Sequence, residues 1–292
     1  MNRTKRGRYC VRAATLLVSL IGWFTLPAVV RHRIEPGVLA APMTFVVNTT
    51  ADSDDGVCSA AASGCTLREA INAANSNPGQ DTINFDIPGP GLKTIHLTSD
   101  LPFVGPGVTI DGYTQGVATP NTLAVGDNAL LLIELDASGV LNPNPFSTPG
   151  LRMGGVGSTV KGLVINGYDN EGIQLFNGGN TIEGNFIGTD ATGTSGLSLG
   201  TGVGVESSNN TVGGTTPAAR NLISGNGAGI QIKNGGATGN QVLNNYIGTN
   251  ASGTSPVGNG LGIVILGVSN NTIGGNLPGS GNLIAFNQSS GI

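Results

Sequence analysis

Charge, aromatic rings and histidine are all scarce in this 292-residue chain. Asp, Glu, Lys and Arg together make up 10%, aromatics 4%, and histidine occurs only at His32 and His96. So few charged residues exclude a coiled coil or a helical bundle, which need Glu, Lys and Leu at helical spacing. A hydrophobic fraction of 38% with a net charge of −4 excludes a disordered chain. Basic residues are scarcest where a polyanion would need them. From Pro42 onward there are 16 acidic and 6 basic residues, a balance of −10. Nucleic acid is therefore not expected as a partner, because its affinity rests on Lys and Arg meeting phosphates. No Ser-His-Asp set can be built, since His96 is the only histidine beyond the first 40 residues.

What is abundant is glycine, 49 residues, and asparagine, 30 residues. No Gly-X-Y period accompanies the glycine, so collagen is excluded as well. The combination points to a turn-dense β protein with many short apolar strands.

The N-terminus reads as an address. Arg3, Lys5, Arg6, Arg8 and Arg12 precede an apolar run from Ala13 to Val30, the layout of a secretory signal. Val38-Leu39-Ala40 is an acceptable cleavage site, leaving Ala41 as the new N-terminus. The run is also long enough to anchor the chain if uncleaved. Residues 1–40 are thus assigned as a signal peptide, and the expected location is secreted or at the cell-envelope surface. Cys10 lies in that segment, while Cys58 and Cys65 form an even pair with six residues between them. In an oxidising compartment they are expected to form a disulfide, stabilising by roughly 2–3 kcal/mol in the chain-entropy model.

Residues 41–80 read as an N-terminal cap. Thr66-Leu-Arg-Glu69 is a capping box, and Leu67, Ala70, Ile71 and Ala74 recur at helical spacing until Asn75, Asn77, Pro78 and Gly79 stop the helix. From Asp81 to the end the chain repeats itself. Asn180-Thr-Ile-Glu-Gly-Asn-Phe-Ile-Gly-Thr matches Asn240-Gln-Val-Leu-Asn-Asn-Tyr-Ile-Gly-Thr, and Asn210-Thr-Val-Gly-Gly matches Asn271-Thr-Ile-Gly-Gly. Gly172-Ile-Gln-Leu, Gly202-Val-Gly-Val, Gly229-Ile-Gln-Ile and Gly262-Ile-Val-Ile fall between them. A unit of about 30 residues cannot bury its own aliphatics, so equivalent strands must stack. Ile173, Val203, Ile230 and Ile263 are expected to form one inward ladder, and Leu175, Val205, Ile232 and Ile265 a second. Asn180, Asn210, Asn240 and Asn271 are expected to hydrogen-bond along the axis. The fold class is therefore all-β, a right-handed parallel β-helix (a pectin-lyase-like solenoid) with a short N-terminal capping helix. The chain stops partway through a coil, because Ser290-Gly-Ile aligns with Ala228-Gly-Ile. This leads us to expect a truncated reading frame with a frayed last coil.

Cys58…Cys65-Thr-Leu-Arg-Glu-Ala-Ile-Asn-Ala-Ala-Asn75 resembles the CSLREA domain of secreted bacterial β-helix proteins, with Thr66 in place of the motif's Ser. Val108-Thr-Ile-Asp-Gly-Tyr-Thr-Gln115 and the Asn-Thr-Ile-Gly-Gly units resemble repeats of the same surface proteins. The resemblance covers roughly residues 44–292. It implies export and a surface role, and carries over no reaction.

No catalytic, cofactor-binding or metal-ligating residue is assigned. The best carboxylate candidates come from Ile110-Asp111-Gly112, Leu135-Asp136-Ala137 and Ile165-Asn166-Gly167. If these coils stack, Asp111 and Asp136 form a pair, with Glu134 nearby, that could divide acid and base roles. The competing reading is a turn ladder in which Asp or Asn accepts backbone amides, and Asn166 favours it. Glu206 and Lys233 fall at equivalent outward positions and are expected to form a surface ion pair. Asp52-Ser-Asp-Asp-Gly56 approaches a calcium loop, but its Gly is one place early and the bidentate Glu is missing. Asn48, Asn209, Asn250, Asn270 and Asn287 begin Asn-x-Ser/Thr triplets, as composition alone would produce.

The sequence thus favours an exported, non-catalytic scaffold. It would display loops such as residues 189–200 and 249–258 for surface structure, adhesion or contact with extracellular glycans or surface proteins. The alternative is a carbohydrate-active enzyme, a polysaccharide lyase or glycoside hydrolase, using the stacked carboxylate pair.

Overall fold

A computed structural model of the chain describes residues 41–59, 64–140 and 150–292. The expected signal segment lies outside the described residues. The described residues all belong to one compact unit. It is a parallel β-helix. Strands recur in three stacked sheets of eight, seven and five strands, and every pairing between them is parallel. The first sheet runs from Thr44–Val47 to Thr272–Ile273, the second from Lys93–His96 to Leu283–Ile284, and the third from Leu151–Met153 to Leu261–Ile265.

The inward rows are aliphatic because alternate side chains of each strand point to the axis. In the third sheet Leu151, Ile173, Val203, Ile230 and Ile263 are in register, as are Met153, Leu175, Val205, Ile232 and Ile265. These are the two expected ladders, each extended by one coil. Each fully buried aliphatic contributes roughly 1.5–3 kcal/mol, so the stack and not strand propensity holds the coil. The outward row of the first sheet carries Thr44, Thr82, Thr109, Thr159, Thr181, Thr211, Gln241 and Thr272, a ladder of β-branched threonines interrupted only by Gln241.

Asparagine closes all three corners. Asn180 Oδ1 accepts from the Ser158 amide, Asn210 Oδ1 from Asn180, Asn240 Oδ1 from Asn210 and Asn271 Oδ1 from Asn240, all at 2.8–3.0 Å. This is the expected ladder. Two more run parallel to it, Asn185–Asn221–Asn245–Asn282 and Asn226–Asn259–Asn287. Most of these side chains are buried, and all but Asn226, which accepts from the Tyr168 hydroxyl, accept from a corner amide. Gly213 shows why glycine shares the corners. It has φ +88°, and a Cβ there would meet the Leu243 carbonyl at 1.9 Å.

The cap is built as its sequence predicts. The helix spans Leu67–Ser76. Thr66 accepts from the Glu69 amide, and Glu69 accepts in return from the Thr66 amide at 2.8 Å. Leu67, Ala70, Ile71 and Ala74 join the same core as Val47, Ile83 and Phe85. Cys58 and Cys65 are disulfide-bonded. Residues 41–80 are more than a lid, however, because Thr44–Val47 is the first strand of the first sheet. At the far end the expected fraying is not complete. Ser290 and Gly291 still accept ladder bonds from Gly262 and Ile263.

Candidate functional site

The Asp111–Asp136 pair does not form. Asp111 lies in the first sheet, in register with Asn84 and Lys161, whereas Asp136 lies in the second, in register with His96 and Asn166. The similar segments Ile110-Asp111-Gly112 and Leu135-Asp136-Ala137 mark a similar turn at two different corners, not one stacked position. Both residues make that turn, Asp111 accepting from the Tyr113 amide and Asp136 from the Ser138 amide. Each also has a cation or imidazole partner, Lys161 at 3.0 Å and His96 at 2.9 Å. Although partial burial opposes it, the bonds from Ser138 and His96 hold the Asp136 carboxyl below its ordinary range. Glu134 accepts from the Thr94 hydroxyl and the Asn166 amide. A carboxylate engaged in this way is a turn fastener.

The Asp52–Gly56 segment is likewise committed to the fold. Asp52 takes a bidentate contact from Arg68 at 2.9 Å and accepts from the Thr98 amide and hydroxyl. Asp54 accepts from Gly56 and Asn72. Among the described residues no group of three or more His, Cys, Asp and Glu is placed to hold a metal ion.

The displayed loops are also not free. Thr189 bridges Gly196, Thr249 bridges Pro256, and the turns between them close on Asp190 and Asn250, whose side chains accept from the amides of residues 194–195 and 254–255. Ala251 donates to Gly193 and Asp127 to Ala251, so three excursions are bonded to one another. They lie down on the second sheet, whose outward row of Val164, Phe186, Leu222 and Tyr246 is apolar and forms a second core with Ala129, Ala191 and Ala251. Arg220 ties this layer down. It sits 4.5 Å above the Tyr246 ring and donates to the carbonyls of Leu123, Ala124 and Gly126. Asp127 is enclosed beside it, and burial pushes its pKa up to about 6.

The third sheet is different, because its outer side carries both charge and exposed aromatic surface. Arg152, Gln174, Gly204, Gln231 and Val264 are in register along it. Gly204 leaves a notch that holds the carboxylate of Glu171, whose Oε1 would lie 2.2 Å from a Cβ at that position. Lys233 bonds Glu171 at 2.8 Å and Glu206 at 3.2 Å, which puts the two carboxylate oxygens within 6.0 Å of each other (2.8 + 3.2). The Glu206–Lys233 pair was expected, but it belongs to a triad whose third member is buried. Gln174 and Asn234 donate to Glu206. Burial, with a smaller push from Glu206, raises the Glu171 pKa against the pull of Lys233. Lys233 is raised as well, its bonds to Glu171 and Glu206 overcoming its own burial.

Beside the triad lie Phe103 and Phe176, with ring centroids 5.6 Å apart, and Arg152 sits 5.4 Å over Phe103 while pairing with Asp100. Sequence reasoning missed Glu171, Arg152 and both rings. Its one available signal was a charged residue at 171, where the equivalent coils carry Thr201, Ala228 and Leu261. Compared with protein-family models and with curated proteins, the chain matches none.

Proposed function

We propose that the protein is an exported, non-catalytic scaffold, a stiff solenoid for adhesion or surface structure whose contacts are extracellular glycans or surface proteins. The observation that carries this reading is the commitment of its polar equipment to itself. Asparagine side chains knit the corners, the excursions close on their own Asp and Asn turns, and the Asp111 and Asp136 carboxylates are tied to turns and to separate partners. Export is supported by the basic and apolar N-terminal run, by the Cys58–Cys65 disulfide and by the resemblance to the CSLREA domain of secreted bacterial β-helix proteins.

A carbohydrate-active enzyme keeps one foothold, Glu171 and Glu206. The two oxygens that Lys233 bonds lie within 6.0 Å of each other (2.8 + 3.2), and a retaining glycosidase holds its carboxyl pair about 5–5.5 Å apart. Lys233 bonds one oxygen of each, so the pair is held together as an ion-pair cluster. Two measurements test the proposal. Fractionation with N-terminal sequencing of the exported chain should give Ala41 as the first residue. Incubation with neutral and acidic polysaccharides should release no reducing ends and no unsaturated products. Turnover abolished by Glu206→Gln would replace the scaffold with the enzyme.

A further inference from the structure

The outer side of the third sheet is the described surface where exposed aromatic rings, amides and an unsatisfied buried acceptor meet. Phe103 is 49% exposed and Phe176 40%, although they stack on each other and on Arg152. A tilted pair of rings left half in water beside polar groups marks a contact surface. Gln174 is in register with Arg152 and reaches Glu206, which joins the aromatic end of the strip to the triad. Glu171 supplies an independent sign. Its side chain is 2% exposed and its Oε2 has no hydrogen-bond partner, yet that oxygen lies at the outward notch of Gly204. An unsatisfied buried carboxylate oxygen is costly unless something donates to it.

We propose that this strip binds an uncharged polysaccharide, with the C–H faces of pyranose rings on Phe103 and Phe176 and sugar hydroxyls bonded to Gln174, Glu206 and the free oxygen of Glu171. The charge balance selects the class. Three carboxylates (Asp100, Glu171, Glu206) face two cations (Arg152, Lys233), and both cations are already paired. A uronate chain would meet net negative charge with no free cation, whereas hydroxyls suit carboxylate and amide acceptors. The inference rests on the non-catalytic adhesive reading and gives it a ligand class and a place.

The test is calorimetric titration of the purified chain with cellohexaose, xylohexaose, mannohexaose and polygalacturonate, with reducing ends assayed in the same samples. The expected result is saturable binding of at least one neutral hexasaccharide and none of polygalacturonate. Phe103→Ala/Phe176→Ala together, and Gln174→Ala separately, should each weaken that binding at least tenfold. Each variant should unfold within a few degrees of the parent, and Phe176→Leu serves as a milder replacement if the double variant does not fold. Absence of neutral-sugar binding, binding that ignores the phenylalanines, or a preference for polygalacturonate would overturn the site. Release of reducing ends with binding still dependent on Phe103 and Phe176 would instead keep the site and overturn the non-catalytic reading.

Discussion

The second and third sheets belong to the same coils and bury the same kind of aliphatic row inward, yet their outer sides have opposite fates. On the second sheet the outward row is apolar from Val164 to Tyr246 and is covered by the chain's own excursions. On the third sheet the outward row is Arg152, Gln174, Gly204 and Gln231, and among the described residues Phe103 and Phe176 stay exposed beside it. The lesson concerns where length goes in a repeat. Extra residues stay where they find an apolar surface to lie on, so a covered sheet is structural. The third sheet keeps a charged and polar outer side with Phe103 and Phe176 exposed.

Substitutions that treat the two outer sides alike are the sharpest way to break this comparison. The largest effect is expected from Tyr246→Ala. It removes a ring packed under the excursions, the contact with Arg220 and the hydroxyl that accepts from the Gly126 amide. A loss of about 3–5 kcal/mol in denaturant unfolding is expected, by analogy with other buried aromatic truncations. A change below about 1 kcal/mol would mean that the covering layer contributes little.

Next is pH. Burial raises the Asp127 pKa from 3.8 to about 6 in the folded chain. The folded state therefore holds this proton more tightly, and the contribution is fully present below about pH 4. It is lost as pH rises through about 6, up to about 3 kcal/mol in all. Unfolding midpoints measured from pH 4 to 7 should show this fall, and Asp127→Asn should flatten it.

Asn221→Ala comes third. It removes the acceptor for the Asn185 amide and the donor to the Ile182 carbonyl, at a cost of about 1–3 kcal/mol. Thermal unfolding would detect it, and amide exchange at Asn185 would localise it. The smallest effect on stability belongs to the third sheet. Phe176→Ala should change unfolding by less than about 1 kcal/mol, since its ring is already 40% in water. A large destabilisation there would erase the distinction between the two outer sides.

Much of the fold was legible because a solenoid writes its geometry as a period. The inward pairs Ile173/Leu175 and Val203/Val205 recur at coil spacing, and the strands carrying them pair in that register. The capping box at Thr66 and Glu69 is local chemistry and needs no distant partner to be recognised. Two of the three asparagine ladders escaped notice. Asn185 and Asn221 stand 36 residues apart and Asn221 and Asn245 only 24, so unequal excursions break the period at that corner. The site was least legible. Lys233 and Glu171 are 62 residues apart, and pairing across two coils leaves no local pattern.

The sequence by itself determined the coil: alternating aliphatics, glycine and asparagine at corners, and a capped helix with a cysteine pair at its start. Those are short-range rules repeated, and repetition makes them readable. Only the tertiary structure decided which outward residues face one another. It put Asp111 and Asp136 in separate sheets, laid the loops over the second sheet, and gathered Glu171, Lys233 and Glu206 on the third. The physical reason is that side chains meet along the axis by coil register, which depends on the length of every excursion between them.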